Sequence, residues 1–304
     1  MRRIKHLVPL ALACLLASGC GLSSAVHLTE TAGAPDPHTA ILLSILGGSV
    51  SMVDPNSGAI EPIATGLTDF QSGYATWAPS HAQLAYGSAG IAVVQAGSNK
   101  TRWLVRGQSL SMPAWSPDGR SIVYGNGLVA WVTRAARNNP DRILDQQDLG
   151  PFGFDWSSKN VIAFEGLALN CDNAEGCFST NQSDIWTMRP TGSGLHQITK
   201  LGTASNPKWS PDSTKIMFIR TVTEHRKQQA QLWLVPASGG HLQHLVPAVT
   251  NVLAADWAPS GARIAIVRQG IAPGTVDLWI ANADGSGLHA IATSIPGTDA
   301  TVDW

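Results

Sequence analysis

The sequence carries no catalytic signature and almost no net charge. It contains neither the G-x-S-x-G turn that presents a nucleophilic serine nor the H-E-x-x-H pair of zinc proteases. Its 20 Lys and Arg nearly balance its 21 Asp and Glu, and without residues 1–20, which hold three basic and no acidic residues, 17 would face 21, a formal charge of −4. These absences disfavour an enzyme and exclude the basic surface that nucleic acid requires. We predict no catalytic residue, no metal site and no cofactor.

The N-terminus has the features of an export signal. Arg2, Arg3 and Lys5 precede the 12-residue apolar run LVPLALACLLAS, which is shorter than the roughly 20 residues of a membrane-spanning helix. Small residues directly before Cys20 favour a lipoprotein signal, in which Cys20 receives the lipid and becomes the mature N-terminus. An ordinary cleaved signal with an incidental cysteine is the alternative. Residues 1–20 are predicted to be a lipoprotein signal peptide, and the protein is expected at the periplasmic or extracellular face of the cell membrane or outer membrane.

A short segment separates this signal from the rest of the chain. Residues 21–38, GLSSAVHLTETAGAPDPH, are small, polar and proline-bearing, which is typical of a flexible tether rather than a domain. A tether of 18 residues has a root-mean-square length of about 23 Å. The membrane contact is therefore expected to come from the lipid alone.

A hairpin motif built around a tryptophan recurs along the remaining chain. In PAWSPDGRSIVYG, which begins at Pro113, the residues SPDG predict a type I turn, and Ile122 and Tyr124 alternate with smaller neighbours as in a half-buried strand. Complete or truncated copies of this motif contain six marker tryptophans: Trp77, Trp115, Trp156, Trp209, Trp257 and Trp304. Their spacing of 38 to 53 residues indicates a solenoid, a propeller or an array.

A second series of tryptophans decides the architecture. Its members, Trp131, Trp186, Trp233 and Trp279, each precede a marker tryptophan by 23 to 25 residues. Most are followed by a glycine-rich turn and a further short apolar run, so each unit has four strands, as propeller blades do. We predict an all-β, six-bladed propeller over residues 39–304. Its last blade lacks an outer strand, which the N-terminal strand at residues 39–46 is predicted to supply, so that both ends of the chain share one sheet. The regular spacing also indicates that the marker tryptophans pack blade against blade rather than bind a ligand.

These repeats resemble those of the TolB-type propeller family. The likeness rests on the W-S-P-D-G hairpins and on the segment DIWTMRPTGSGLHQIT, which begins at Asp184, and it covers roughly residues 39–304. The resemblance implies a six-bladed, extracytoplasmic bacterial protein that acts in protein–protein contacts. It also implies a difference, because the member that gives the family its name carries a separate α/β domain before its propeller. We expect this protein to lack such a domain.

Two cysteines lie close together in a long insertion. Cys171 and Cys177 flank DNAEG, and in an exported protein such a pair most simply forms a disulfide that staples the loop. A metal site is the alternative, but further ligands at recognisable spacing are lacking nearby. We predict the disulfide.

Two insertions interrupt the otherwise regular units. Residues 166–183 and 221–229 are predicted to lie between blades, beside one another at one rim of the central channel. Because insertions in repeat proteins often form the binding face, this rim is predicted to contact a partner; tolerated surface loops are the alternative. The candidate rim residues are Asn170, Asp172, Glu175, Glu224, His225, Arg226 and Lys227.

Three classes of function fit such a propeller. The first is a monomeric, lipid-anchored scaffold that binds envelope proteins, favoured by the resemblance and by the lack of catalytic motifs. The second is a binder of a small ligand, sugar or ion, for which Asp184 and Asp277 are the acidic candidates at the channel mouth. The third is a lyase or hydrolase assembled from scattered residues. Three aspartates that directly precede marker tryptophans are interpreted as structural hydrogen-bond acceptors: Asp155, Asp256 and Asp303.

Overall fold

The computed structural model of the chain describes residues 36, 38–45, 50–64, 74–88, 90–95, 101–106, 111–136, 139–172 and 176–304. This part of the chain contains 24 β-strands and no α-helix, and the strands form six sheets of four strands each. None of the described residues therefore belongs to a helix that could cross a membrane. The predicted all-β, six-bladed fold is confirmed. The predicted signal peptide, and the predicted tether up to residue 35, lie outside the described residues.

The strands fill the blades in chain order. The first three are β1 (Ile41–Ile45), β2 (Val50–Val53) and β3 (Ile60–Ala64). Blade 1 contains β4 (Ala75–Trp77), β5 (Gln83–Ser88), β6 (Gly90–Gln95) and β7 (Thr101–Arg106). Blade 2 contains β8 (Ser111–Trp115), β9 (Ser121–Gly125), β10 (Val129–Arg134) and β11 (Asp141–Asp145). Blade 3 contains β12 (Leu149–Trp156), β13 (Ile162–Asp172), β14 (Gly176–Met188) and β15 (His196–Gln197). Blade 4 contains β16 (Ala204–Trp209), β17 (Lys215–Glu224), β18 (Lys227–Pro236) and β19 (Gln243–His244). Blade 5 contains β20 (Val252–Trp257), β21 (Arg263–Gln269), β22 (Thr275–Asn282) and β23 (His289–Pro296), and β24 (Ala300–Asp303) ends the chain.

The turn after a marker tryptophan is fixed by its own side chains. In blade 2 the N–H of Gly119 donates to the carbonyl oxygen of Ser116 at 2.8 Å and closes the turn. Ser116 Oγ donates to Asp118 Oδ1 at 2.6 Å. In blade 4, Ser210 Oγ donates to Asp212 Oδ1 at the same distance of 2.6 Å. The recurring Ser-Pro-Asp sequence therefore specifies a hydrogen-bonded turn that leads into the second strand of the blade.

The first strand of each blade lies innermost. These six strands contact one another in sequence around a central channel, and the ring is closed by the contact between β24 and β4. The marker tryptophans lie at the ends of these strands, between neighbouring blades; the indole N–H of Trp115, for example, donates to the carbonyl oxygen of Thr76 in the preceding blade at 3.3 Å. Four of them are buried and two half-buried: Trp77, Trp115, Trp209 and Trp257, then Trp156 and Trp304.

Both ends of the described chain belong to one sheet. β24 pairs antiparallel with β1, with Val302 opposite Leu43, and β2 and β3 complete the sheet in the order β24-β1-β2-β3. Closure by the N-terminal strand is confirmed, although Leu46 lies outside the described residues. The expectation that this segment adds a missing outer strand was wrong, because β1 is the second strand of the blade. Three N-terminal strands, rather than one, complete a blade to which the C-terminus contributes the innermost strand.

Candidate functional site

The propeller has two different ends. In blades 1 to 5 the first strand runs from the connection with the preceding blade to the turn that follows its marker tryptophan, and β24 has the same direction. We call the end with these turns the turn end and the opposite end the connector end. The loops between second and third strands also lie at the connector end. The N–H of Ser183 donates to the carbonyl oxygen of Gly202 at 3.3 Å, and that of Thr221 donates to Thr203 at 3.0 Å, both in the connection between blades 3 and 4.

The two insertions are long hairpins that project from the connector end. The prediction that they lie between blades was wrong, because β13–β14 and β17–β18 continue to pair beyond their sheets. The pairing reaches Asp172 opposite Gly176 in blade 3 and Glu224 opposite Lys227 in blade 4. The two hairpins do stand beside one another, on adjacent blades and at one end of the channel.

The structure brings most predicted rim residues to the tips of these hairpins. Five of them are exposed there: Asn170, Glu224, His225, Arg226 and Lys227. Asp172 is the last residue of β13, and Glu175 lies outside the described residues. The predicted disulfide is confirmed, with Cys171 and Cys177 directly opposite each other in the two strands and their sulfur atoms 2.07 Å apart.

Exposed apolar side chains mark the same end of the propeller, a feature that the sequence analysis missed. Leu128, Phe178 and Ile271 are 45%, 53% and 93% exposed, respectively. They belong to the loops or hairpins between the second and third strands of blades 2, 3 and 5. Ile60, 42% exposed on β3, completes the exposed large hydrophobic residues of the described part of the chain. The signal was present in NGL and GIAPG, where an aliphatic residue stands in a turn with no strand to bury it.

A cavity of about 400 Å³ occupies the channel toward the turn end. Its walls are the innermost strands and the turns that follow them, including Pro79, Pro117 and Pro211. One ring of side chains around it comes from the residues directly before the marker tryptophans: Thr76, Ala114, Asp155, Lys208, Asp256 and Asp303. The cavity therefore lies at the opposite end of the channel from the hairpin tips.

Lys208 is the cation among three carboxylates of this ring. Its Nζ lies 2.8 Å from Asp256 Oδ2 and 3.7 Å from Asp303 Oδ1. Asp303 also accepts the N–H of Trp77 at 2.8 Å, and Asp155 accepts that of Trp209 at 2.6 Å. The three aspartates thus accept hydrogen bonds across blade boundaries, which is the role that the sequence suggested for them. The position of Lys208 among them was not anticipated.

Burial dominates the protonation of this cluster. It raises the pKa of Asp155 and of Asp256 above the usual range, and the nearby Lys208 ammonium only partly opposes that rise. Burial alone would lower the pKa of Lys208, but the attraction of the carboxylates outweighs it and holds the pKa above its ordinary value. The ammonium is therefore a fixed counter-ion of the ring. Within the described residues, no group of three or more His, Cys, Asp or Glu is arranged to hold a metal ion.

The two aspartates predicted at the channel mouth lie elsewhere. Asp184 and Asp277 belong to β14 and β22, the third strands of their blades, and neither lines the cavity. Asp184 accepts the hydroxyl of Thr199 at 2.7 Å and the N–H of Leu201 at 2.6 Å. Asp277 accepts the N–H of Ser294 at 2.9 Å. The prediction was wrong because third strands stand two strands away from the channel, where these carboxylates bind the backbone of the following segment.

Glu165 is a further titratable group, at the base of the long hairpin of blade 3. It lies in β13 between Phe152 and Ile185 of the neighbouring strands. Burial raises the pKa of its carboxyl to about 7, although the N–H of Asn206 and the hydroxyl of Ser183 donate to it. A carboxyl with a raised pKa in the folded state binds more protons there than in the unfolded chain. The native state therefore loses stability as the pH rises from the ordinary value of 4.5 to about 7.

Replacing Glu165 with glutamine should raise the free energy of unfolding at pH 8 by about 2 kcal/mol and change it little at pH 4. Glutamine keeps the shape of the side chain but has no charged form to desolvate. Urea unfolding at the two pH values measures the difference, and the exposed Glu224→Gln on the neighbouring hairpin is the control. An equal effect at both pH values would contradict this account.

No family model matches the chain. Over 100 residues the chain is 33% identical to the Tol-Pal system protein TolB of Anaeromyxobacter dehalogenans (strain 2CP-C), a segment that covers 33% of the chain and 21% of that relative. The match thus spans about a fifth of the length of the relative.

Solved structures extend the likeness to most of the chain. The crystal structure of TolB from Acinetobacter baumannii matches with a TM-score of 0.65 and 13% identity, over 90% of this chain and 69% of that one. Putative TolB from Agrobacterium tumefaciens matches with a TM-score of 0.60 and 16% identity, over 86% and 91%. Hydrazine synthase of Kuenenia stuttgartiensis matches with a TM-score of 0.54 and 16% identity, over 85% and 77%. At these identities the solved structures show the fold, and the predicted resemblance to TolB-type propellers is confirmed.

Proposed function

From the TolB-type propeller that the chain forms, we propose an exported, lipid-anchored protein-binding module of the bacterial envelope. Its contact surface, which we call the rim, consists of the loops and hairpins between second and third strands at the connector end. The observation that carries this proposal is the exposure of Leu128, Phe178 and Ile271 on three blades of that end. Binding of a partner that buries apolar side chains at loop tips is favourable, because it removes apolar surface from water.

The composition of the rim fits a protein surface better than a small molecule. Protein interfaces combine apolar and aromatic anchors with a polar surround. Phe178 stands on a hairpin closed by the Cys171–Cys177 disulfide, so less ordering is needed on binding. The neighbouring hairpin carries Glu224, Arg226 and Lys227 in exposed positions, which can pair with charges on a partner.

The location and the anchor follow from the N-terminal sequence. Acylation of Cys20 would attach the chain to a membrane, and residues 21–38 would serve as the tether. The matched relative is a Tol-Pal system protein, which supports an envelope protein as partner. We propose that the module is monomeric and that it acts by binding rather than by catalysis.

The apolar anchors give the test of this function. The triple variant Leu128→Ser, Phe178→Ser and Ile271→Ser should lower the affinity for the natural partner at least tenfold, since each side chain contributes roughly 1 kcal/mol on burial. The partner is first identified by crosslinking in the native cell from a photoreactive residue at Gln228, on the blade 4 hairpin. Affinity for the purified partner is then measured with wild type and variant.

Ile60→Ser is the matched control, because Ile60 is similarly exposed but lies on the outermost strand of its blade. It should leave the affinity unchanged. Equal binding by wild type and the triple variant, with both proteins folded, would remove the rim as the contact surface.

A further inference from the structure

The chain enters the propeller at the turn end. The indole N–H of Trp304, at the end of the innermost strand of the last blade, donates to the carbonyl oxygen of Thr39 at 3.0 Å. The N–H groups of Thr39 and Ala40 donate to the carbonyl oxygen of Asp36 at 2.9 and 2.8 Å, which fixes the residues just before β1. The segment that joins Cys20 to the propeller is therefore attached at this end.

The first described residues lie beside the mouth of the channel cavity. The ring of His38 meets that of His81 edge-on with 5.5 Å between centroids. His81 lines the cavity, and its ring centroid lies 5.9 Å from that of the marker Trp77. The attachment point is thus next to the cavity and is packed against blade 1.

The hairpin tips lie far from this attachment point. The 11 residues of β13 run from the turn end to the tip of the blade 3 hairpin, which at about 3.3 Å per residue is roughly 36 Å. The 16 residues that follow Cys20, up to and including Asp36, have, as a tether of this composition, a root-mean-square length of about 22 Å. The average reach of the tether is therefore smaller than the separation of about 36 Å between the two ends of β13.

We infer that the propeller is held with its turn end and channel cavity toward the anchoring membrane and with its rim directed away from it. The inference rests on the lipid anchor proposed above. It defines the kind of partner that the rim can bind: a soluble protein, or a domain held away from the anchoring membrane, that approaches from the distal side. A partner domain lying flat on the same bilayer would face the cavity end.

Energy transfer from labels on the two ends to the bilayer tests this orientation. Full-length lipoprotein is reconstituted into phosphatidylcholine vesicles that contain a headgroup-labelled acceptor lipid. Donor dye is attached at Ser80→Cys or Ser260→Cys, both exposed in turns at the turn end, or at Gln228→Cys on the blade 4 hairpin. Cys171 and Cys177 are paired in the disulfide, so they do not compete for the dye. Donor quenching at the two turn-end positions should exceed that at residue 228 at least twofold, and equal or reversed quenching would overturn the orientation.

Two further readouts separate this inference from the anchor on which it rests. The mass of the N-terminal peptide reports whether Cys20 carries acyl chains, and the Cys20→Ser variant shows the quenching expected without an anchor. Acylated protein with reversed quenching overturns the orientation and leaves the anchor intact. Protein without acyl chains that fails to bind vesicles overturns both.

Discussion

Replacing Lys208 with methionine is expected to lower the free energy of unfolding by about 3 kcal/mol at pH 8, because breaking a buried ion pair leaves its partner charges uncompensated. The side chains of Lys208, Asp256 and Asp303 are only 23%, 13% and 17% exposed, so solvent screens them poorly. Methionine has a similar length and no charge. The substitution therefore removes the attraction between the ammonium and the carboxylates and leaves the packing volume nearly unchanged.

The pH dependence identifies the cause of this loss. In the wild type the raised pKa of Lys208 contributes stability that is fully present below the ordinary lysine pKa of 10.5. In the variant the ring has no cation, so Asp155 and Asp256 should take up protons at higher pH than in the wild type. Protonation removes the repulsion, and the deficit of the variant should shrink as the pH falls from 8 to 4.

Urea unfolding across this pH range measures the effect, with Lys200→Met as the matched control, since Lys200 is exposed in the connection between blades 3 and 4. The control should change the stability by less than about 0.5 kcal/mol. A deficit of Lys208→Met that stays constant from pH 8 to pH 4 would show that packing, and not charge, holds the ring together.

Deleting Ala300 to Trp304 is expected to abolish the cooperative fold. This removes β24, the innermost strand of the last blade and the pairing partner of β1. Ile41, Leu42 and Leu43 on β1 are each at most 1% exposed, and their cover would be lost along with the hydrogen bonds of the ladder. The open sheet edge would also offer a template for association between chains. We expect insoluble protein, or soluble protein without a single unfolding transition in calorimetry.

A shortened hairpin is the control for this deletion. Replacing Thr223 to Gln228 by Asn-Gly removes four residues net from the blade 4 hairpin and supplies a favoured two-residue turn. That variant should unfold cooperatively with nearly the wild-type stability. If the chain without β24 were soluble and unfolded in one transition, the two termini would not be the closure of this ring.

The architecture could be predicted because the repeated tryptophans and Ser-Pro-Asp turns are local signals. A marker tryptophan, its turn and the following strand occupy about 13 consecutive residues of the sequence, and the turn is held by its own serine and aspartate. Closure was also accessible, because the unit marked by Trp304 lacks strands and the N-terminal run at residues 39–46 falls outside the other units. The number of strands supplied was not, since β2 and β3 lack the marker motif.

The charge cluster of the channel could not be read along the chain, because it forms only when the ring closes. Lys208 and Asp303 are 95 positions apart by subtraction of their numbers. The signal that would have found them is positional: each directly precedes a marker tryptophan, so superposed repeats place them in one ring. The same comparison explains the error with Asp184 and Asp277. Both stand two residues before a tryptophan of the second series, which belongs to the third strand.

The union of β1 and β24 in one sheet sets an order of events for any chain that is delivered N-terminus first, from a ribosome or through a translocation pore. More than 250 residues separate these two strands, and contacts of such long range form late. The edge of β1 that pairs with β24 therefore stays unpaired while the other five blades fold. The last residues to be delivered then complete the sheet that contains the first strands. A chain cleaved near its C-terminus would therefore be unable to close the ring, although nearly all of its residues are present.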